Sequence, residues 1–354
     1  MNLRQQVGQL VVAGVEGTEL SALERAWMKL IQPAGIILFR RNIEEPAQVV
    51  NLLREVAGTS SAPQFRCIDL EGGLVDRLRD LIAPMPSPAA VFATGKRANF
   101  LRHGRLIGRE ARALGFNTTF APVLDLALPV SASVMQSRVV SPDPQQVLAY
   151  AEAFLAGLNG EQILGCGKHF PGLGGGTLDS HQAMPVIKRS WSELWNNDLA
   201  VFRTLARQLP MIMVAHASYP LVKGKEPASI SPYWISTVLK KKIGFAGLVI
   251  SDDMEMGGIL TQTSIEEAAV QAIAAGTDVI EICKDPSLVL RAYEALLAEA
   301  ERSSAFRRRI EATARRVLAM KRRKLSPVRP RVATASAIAK LRGEVQRFAE
   351  EVTA

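Results

Sequence analysis

The sequence has 354 residues, of which 48% are hydrophobic and 22% are charged. This composition is typical of a globular protein and excludes a disordered, collagen-like or disulfide-framework chain. The three cysteines are odd in number and far apart, and no apolar run is long enough to cross a bilayer. We therefore expect a protein of a reducing compartment, the cytoplasm by default, with no signal peptide and no membrane segment.

The net charge is +9, and basic residues crowd the C-terminal part in the stretch RRRIEATARRVLAMKRRK. Such a stretch is compatible with a nucleic-acid patch, with attraction of an acidic substrate, or with a solvated basic helix face. No nucleic-acid-binding motif accompanies it. We therefore predict a solvated helix face and no nucleic-acid partner.

Short β-rich runs alternate with longer amphipathic stretches, which is the pattern of parallel βα units. The predicted strands are Leu10–Val15, Gly35–Phe39, Phe65–Leu70, Thr118–Leu126, Gly165–Phe170, Met211–Ala217, Gly247–Ser251 and Asp278–Cys283. The predicted helices between them include Ala47–Ala57, Arg97–Leu114, Pro144–Asn159, Trp191–Leu209 and Ser264–Ala275. Several of the strands are almost continuously apolar, as expected of strands that are covered on both faces.

Eight such units predict a closed (β/α)8 TIM barrel of the α/β class. An open doubly wound sheet competes with it, but the residues after the first strand, VEGT, lack the glycine fingerprint of that fold. We assign residues 1–325 to a single barrel domain and residues 326–354 to a C-terminal helical tail, with helix predicted over Ala333–Val352.

Polar side chains lie at or just beyond the predicted carboxyl ends of strands three to seven. They are Asp69, Glu71, Asp125, Lys168, His169, His216, Asp252 and Asp253. The carboxyl ends of the strands form the face on which TIM barrels build their active sites. His103, in contrast, falls within a predicted helix, where we expect it at the surface or in packing.

The segment KHFPGLGGGTLDSH begins at Lys168, at the end of strand five, and continues into a glycine-rich loop. Glycines let the backbone move or approach a ligand closely, but their spacing fits neither the P-loop nor the dinucleotide fingerprint. The loop ends in Asp179-Ser180-His181, where a carboxylate can fix the tautomer of an imidazole that acts as general acid and base. Asp-x-His in a loop is, by itself, weak evidence for catalysis.

The segment ISDDMEM carries Asp252 and Asp253 after strand seven. Neighbouring side chains of a strand point to opposite faces, so only one of the two can enter the barrel mouth if the strand persists. The alternative is that both simply begin a helix, because aspartate is a good N-cap residue. The residues themselves leave both interpretations open.

These segments, together with GIILFRRNI, CIDLEGGLVDRLR, EARALGFNTTFAPVLDL, SRVVSPDP and VAHASYP, resemble glycoside hydrolase family 3 in its single-domain β-N-acetylglucosaminidase type. The family pattern runs K-H-F-P-G-H-G-D, then D-S-H, then S-D-D-L. The similarity extends from about Leu10 to about Lys284. It implies a TIM barrel that releases β-linked N-acetylglucosamine, from cell-wall muropeptides, without a metal or another cofactor.

Carried over residue by residue, the resemblance implies that Asp252 is the nucleophile, His181 the acid/base and Asp179 its dyad partner. It also implies that the terminal sugar is bound by Asp69, Arg77, Arg138, Lys168 and His169. Carboxylates and cations can bind sugar hydroxyls through charge-assisted hydrogen bonds. A histidine acid/base is uncommon, because most glycosidases use two carboxyl groups.

The sequence departs from the family pattern at Leu173 and Gly175, which replace a histidine and an aspartate of the loop, and at Leu74, which replaces an arginine. We interpret the two changes in the loop as tolerated drift, with altered specificity or lost activity as the alternative. Supporting roles are assigned to Arg40, Arg41 and Glu71. His216 is interpreted as a hydrogen-bonded histidine at a strand end, against the alternative of a direct substrate contact.

Other functions compete with this hydrolase. One alternative is a family 3 β-glucosidase or β-xylosidase, although these usually carry a further domain. Another is a β-N-acetylglucosaminide phosphorylase, because a histidine acid/base makes the site less anionic and open to phosphate. A non-catalytic sugar-binding barrel is the alternative outside the enzymes, and the presence of Asp252, Asp179 and His181 argues against it. We expect a monomer that acts on a carbohydrate.

Overall fold

A computed structural model of the chain describes residues 1–178, 180, 183–325 and 330–353. At its centre is a closed barrel of eight parallel strands, in which each strand pairs with the next in the chain and the last pairs with the first. The strands are β1 (Val11–Ala13), β2 (Gly35–Leu38), β3 (Phe65–Ile68), β4 (Thr118–Thr119), β5 (Leu164–Phe170), β6 (Met211–Val214), β7 (Leu248–Asp253) and β8 (Val279–Ile282). The predicted TIM barrel is confirmed.

Helices connect the strands and cover the outside of the barrel. They are α1 (Leu3–Gly8), α2 (Ala22–Ile31), α3 (Pro46–Ala57), α4 (Pro88–Ala93), α5 (Arg97–Ala113), α6 (Ala132–Met135), α7 (Pro144–Gly160), α8 (Trp191–Glu193), α9 (Leu199–Leu205), α10 (Gly257–Leu260), α11 (Ile265–Ala275), α12 (Pro286–Arg302), α13 (Ser304–Lys324) and α14 (Ala335–Thr353). Wider π-helical turns cover Leu194–Asp198 and Tyr233–Lys242. No helix in the described ranges combines the length and the apolarity needed to cross a membrane.

The fourth strand differs most from its prediction, which extended it over residues 118–126. Its regular part ends at Thr119. Pro122 has no N–H to donate to a neighbouring strand, so the regular ladder cannot include a donor there. The segment nevertheless stays hydrogen-bonded to β5. The carbonyls of Ala121 and Pro122 accept the amides of Cys166 and Lys168 at 2.8 and 3.2 Å, and the Leu124 amide donates to the Lys168 carbonyl at 2.6 Å. The chain thus still runs along β5 to the carboxyl end of the barrel.

Apolar side chains form one core inside the barrel and another between the barrel and its helices. The inner core includes Phe65, Cys67, Cys166, Met213 and Ile250. At the amino-terminal end of the barrel it continues into side chains of α13 and its C-cap, namely Val317, Met320 and Leu325. The packed helix closes this end of the barrel.

The predicted C-terminal helix is α14, which packs on α4 and α5. Its buried side chains are Ile338, Leu341, Val345 and Phe348. The Arg342 side chain donates to the backbone carbonyls of Leu81 and Ile82 at 3.0 and 2.8 Å. His103 of α5 lies beneath α14, fully buried and with its ring 6.2 Å from the Phe348 ring, so it is a packing residue. The division at residue 325 stays a prediction.

Candidate active site

A cavity of about 680 Å³ opens at the carboxyl end of the barrel. Its walls come from the segments that follow β2, β3, β4, β5, β7 and β8. It is lined by six of the eight residues predicted to react or to bind substrate, namely Asp69, Arg77, Arg138, Lys168, His169 and Asp252. The other two, Asp179 and His181, lie outside the described residues.

One wall of the cavity is a cluster of opposite charges. Lys168 Nζ is 2.8 Å from Asp69 Oδ1 and 2.7 Å from Glu71 Oε1. The Arg138 guanidinium donates two hydrogen bonds of 2.9 Å to the two Glu71 oxygens. Glu71 is 1% exposed and contacts both cations, which fits the supporting role that the sequence analysis assigned to it.

These contacts set the charge of Glu71. Burial alone would raise the pKa of Glu71, but Arg138 and Lys168 outweigh that effect and hold the pKa well below its ordinary value. A carboxyl whose pKa is lowered on folding stabilises the folded state fully above its unfolded pKa, here ordinarily 4.5, and loses that contribution as the pH falls below it. The cluster is therefore fully formed at neutral pH.

Replacing Glu71 by glutamine should lower the free energy of unfolding by about 3 to 5 kcal/mol, because the cations would lose their buried counter-charge. The affinity for substrate should fall as well, since Lys168 and Arg138 would no longer be held in place. Urea unfolding at pH 7 measures the first effect and KM reports the second. Glu55→Gln is the control: Glu55 pairs with Arg25 at the surface, where the loss should stay below about 1 kcal/mol. Equal losses in both variants would contradict the role given to Glu71.

Asp125 connects the end of β5 to the start of the glycine-rich loop. Its Oδ2 is 2.6 Å from His169 Nδ1, and its Oδ1 accepts the Leu173 amide at 2.6 Å. Because an ionised carboxylate only accepts hydrogen bonds, Nδ1 of His169 carries a proton. Sequence reasoning located Asp125 at a strand end but gave it no role; the structure shows that it orients His169.

The glycine-rich loop begins in close contact with the rest of the protein. Gly172 has a φ of +132°, and a Cβ there would lie 2.7 Å from an oxygen of Asp198. At Gly174 a Cβ would lie 2.5 Å from the Leu126 carbonyl oxygen. These two glycines allow close approach of the backbone to neighbouring segments, which side chains would prevent.

The substituted positions differ in their surroundings. Leu173 is buried and lines the cavity. A Cβ at Gly175 would lie 3.0 Å from Ile187 Cγ2, so an aspartate there requires a small shift of its neighbour. Leu74 is 53% exposed, at the turn between the short antiparallel strands Leu70–Gly72 and Val75–Asp76. The loop thus gains an apolar contact at Leu173, whereas Leu74 lies at the surface.

Asp252 and Asp253 both line the cavity, so strand alternation alone does not separate them. β7 continues through Asp253, and its register against β8 shifts at this point. Asp253 Oδ1 accepts the backbone amides of Glu255 and Cys283 at 3.0 and 3.2 Å, whereas Asp252 Oδ1 accepts the amide of Asp253 at 2.9 Å. The next helix has Met256 as its N-cap, so neither aspartate caps it and that alternative is wrong.

The two aspartates also differ in charge. Burial would raise the pKa of Asp252, but the nearby imidazole of His169 contributes most to outweighing it, and the pKa lies below its ordinary value. Burial raises the pKa of Asp253 to about 7. At neutral pH Asp252 is therefore an ionised carboxylate, as a nucleophile must be, and Asp253 is partly protonated.

His216 is fully buried, and both of its ring nitrogens have partners in the protein. Nδ1 is 2.7 Å from the Ser229 hydroxyl, and Nε2 is 3.0 Å from the Asp253 carbonyl oxygen. Since a carbonyl only accepts, Nε2 carries the proton, and Nδ1 accepts from Ser229. His216 therefore supports the backbone of β7, which agrees with its interpretation as a hydrogen-bonded histidine at a strand end.

Phe39 and Glu281 are among the cavity residues that the sequence analysis did not single out. The Phe39 ring lies beneath the guanidinium groups of Arg41 and Arg77, at 4.9 and 5.6 Å from its centroid. An aromatic residue at the end of strand two was the available signal for Phe39, and a glutamate inside an apolar strand was the signal for Glu281.

Within the part of the chain that the structure describes, no group of three or more His, Cys, Asp or Glu could hold a metal ion.

Comparison with known proteins gives consistent similarities. The family model of the glycosyl hydrolase family 3 N-terminal domain matches residues 2–320. A β-hexosaminidase of Stenotrophomonas maltophilia is 34% identical over 303 residues, which cover 84% of this chain and 89% of that protein.

Among solved structures, a family 3 β-N-acetylglucosaminidase from Paenibacillus superposes with a TM-score of 0.89 and 32% identity, over 98% of this chain and 69% of that one. NagZ from Neisseria gonorrhoeae, in complex with N-trifluoroacetyl-D-glucosamine, gives a TM-score of 0.74 and 29% identity, over 88% and 97% of the two chains.

Proposed function

Since this chain belongs to glycoside hydrolase family 3 and is a glycoside hydrolase, we propose that it releases terminal, non-reducing β-linked N-acetylglucosamine. The observation that carries the proposal is the cavity in which an ionised Asp252 lies with the Asp69–Lys168–Glu71–Arg138 cluster. Such a wall offers both donors and acceptors to sugar hydroxyls. The names of the β-hexosaminidase and β-N-acetylglucosaminidase relatives support this choice of sugar.

We propose a double displacement with net retention. The Asp252 carboxylate attacks the anomeric carbon while His181 protonates the leaving oxygen, which breaks the glycosidic bond and forms a glycosyl ester on Asp252. Water, deprotonated by His181, then attacks the same carbon and releases the sugar and the free carboxylate. Asp179 orients the imidazole, while Asp69, Arg77, Arg138, Lys168 and His169 bind the sugar.

The natural source of the sugar is, in this proposal, cell-wall muropeptides, and the protein acts as a cytoplasmic monomer with neither a nucleic-acid nor a membrane partner. Cys67, Cys166 and Cys283 are buried free thiols, a state that suits a reducing compartment. Their burial also protects them from oxidation, because the reactivity of thiols follows exposure and thiolate character.

The activity is tested on aryl β-glycosides of N-acetylglucosamine, glucose and xylose with the same leaving group. We expect the N-acetylglucosaminide to have the highest kcat/KM, by at least about tenfold, the discrimination that a few added contacts provide. Addition of phosphate should leave the rate and the product unchanged. A preference for glucoside or xyloside would replace the proposed substrate, and formation of a sugar 1-phosphate would show a phosphorylase.

A further inference from the structure

Glu281 is a buried acid on β8 that the mechanism above does not use. We propose that Glu281 determines sugar specificity by donating a hydrogen bond from its unpartnered carboxyl oxygen to an oxygen atom of the sugar bound in the cavity. The inference deepens the proposed function and rests on it. Neither the sequence similarity nor the mechanism assigns this residue a role.

Its position follows from the alternation of β8. Val279 and Cys283 belong to the core inside the barrel, and Ile280 and Ile282 to the core between the barrel and its helices. Glu281 therefore faces inward. It is 2% exposed and borders the cavity together with Asp252 and Cys283. Glu281 is thus an ionisable residue that faces into the barrel from a strand whose other residues are apolar.

The hydrogen bonds of Glu281 are incomplete. Cys283 Sγ lies 2.9 Å from Glu281 Oε1, and burial raises the pKa of that thiol, so the thiol keeps its proton and donates it to Oε1. Glu281 Oε2 is buried and has no hydrogen-bond partner among the described residues. Lys168, a cation that borders the same cavity, is already bound by Asp69 and Glu71.

The surroundings of Glu281 favour its neutral form. Burial raises its pKa well above the ordinary value, and the negative charges of Asp69, Asp253 and Asp252 raise it further. Since Oε1 accepts from the Cys283 thiol, the proton of the neutral acid belongs on Oε2. Glu281 thus carries a buried O–H group that has no acceptor among the described residues.

A buried donor without an acceptor is costly and rare in native structures. A sugar in the cavity can supply the acceptor through a hydroxyl or through the carbonyl of an acetamido group. Sites that hydrogen-bond a substrate oxygen reject analogues lacking it, because the polar group of the protein is then left unpaired. Glu281 would therefore select for one oxygen of the sugar.

The test combines variants with sugar analogues. Binding of N-acetylglucosamine, its monodeoxy analogues and glucosamine is measured by calorimetry on the wild type, Glu281→Leu, Glu281→Gln and Met213→Leu. In the wild type, one analogue should bind about 10- to 100-fold more weakly than the parent sugar. Glu281→Leu should bind the parent sugar about as weakly as the wild type binds that analogue. It should bind the analogue itself no more weakly than the wild type does. Glu281→Gln keeps a donor and should bind the parent sugar within a few-fold of the wild type.

Met213→Leu, at another residue that lines the cavity, controls for a change of shape and should affect all the sugars equally. Glu281→Leu should also melt at the same temperature as the wild type or higher, because it removes a buried polar group. A Glu281→Leu variant that binds the sugars with the wild-type affinities and the wild-type pattern would overturn the proposal.

A second measurement does not depend on the folding of the leucine variant. Infrared difference spectra on sugar binding should show a shifted carbonyl band of a protonated carboxyl in the wild type and none in Glu281→Gln. Identical difference spectra of the two proteins would overturn the proposal. Turnover of aryl glycosides tests the proposed function separately. If the protein hydrolyses them but its sugar binding does not depend on Glu281, only the role of Glu281 is refuted. Sugar binding through Glu281 without hydrolysis refutes only the activity, and a wild type that binds no sugar refutes both.

Discussion

Replacing Asp252 by asparagine should lower kcat on an aryl β-N-acetylglucosaminide by about four powers of ten or more, because an amide cannot form the covalent intermediate. The amide oxygen can still accept the Asp253 backbone N–H, which now lies 2.9 Å from Asp252 Oδ1. The fold should therefore be retained, and the loss is assigned to chemistry. Steady-state kinetics, with the melting temperature as a check on folding, measures the effect.

The matched control is Asp253→Asn. Its side-chain oxygen would still accept the amides of Glu255 and Cys283, and the neutral amide resembles the protonated acid that a pKa of about 7 allows. Activity should remain within about tenfold of the wild type, as for a conservative change in one hydrogen-bonded group. Trapping with a fluorinated sugar and peptide mapping locates the nucleophile directly. A label on Asp253 would overturn the assignment.

The second large effect is expected at His181. His181→Ala should slow a substrate with a poor leaving group by about 10²- to 10⁴-fold, the usual contribution of general acid catalysis. An activated aryl glycoside should be affected much less in the step that breaks its bond, because its leaving group needs little protonation. The quantity to measure is the ratio of the rates on the activated and the poor substrate, which is then compared between the wild type and the variant.

Asp179→Asn serves as the graded companion of that variant. If Asp179 is the proposed dyad partner, its replacement by an amide removes the charge that stabilises the imidazolium, so the same pattern should appear in weaker form. If His181→Ala slowed both substrate types equally, or neither, His181 would not be the acid/base. The double displacement would then need another proton donor.

The barrel could be predicted because its information is local. Eight apolar runs alternate with amphipathic stretches, and this alternation is typical of parallel strands that are buried on both faces. The fourth strand, whose regular part ends at Thr119, shows the limit of that reasoning. The missing N–H of Pro122 was readable from the sequence, but the hydrogen bonds that hold this segment along β5 join distant parts of the chain.

The candidate site, too, could be predicted only in part from the sequence. Polar residues at strand ends placed Asp69, Lys168 and Asp252 on one face, and the structure brings them into one cavity. The partners of these residues were not accessible, since the contact of Glu71 with both Arg138 and Lys168 joins segments far apart in the chain. The unpartnered oxygen of Glu281 is likewise a property of the packed interior, which no sequence pattern reports.

The position of α14 has a consequence for biosynthesis. Its residues leave the ribosome after all eight barrel strands, yet Arg342 binds the carbonyls of Leu81 and Ile82, just beyond the strand pair that carries Glu71. Until α14 docks, the surface of α5 around His103, which α14 covers in the folded protein, remains open to water or to other chains. One side of the nascent barrel is therefore exposed during synthesis. Chaperones that recognise exposed apolar surface can bind it there.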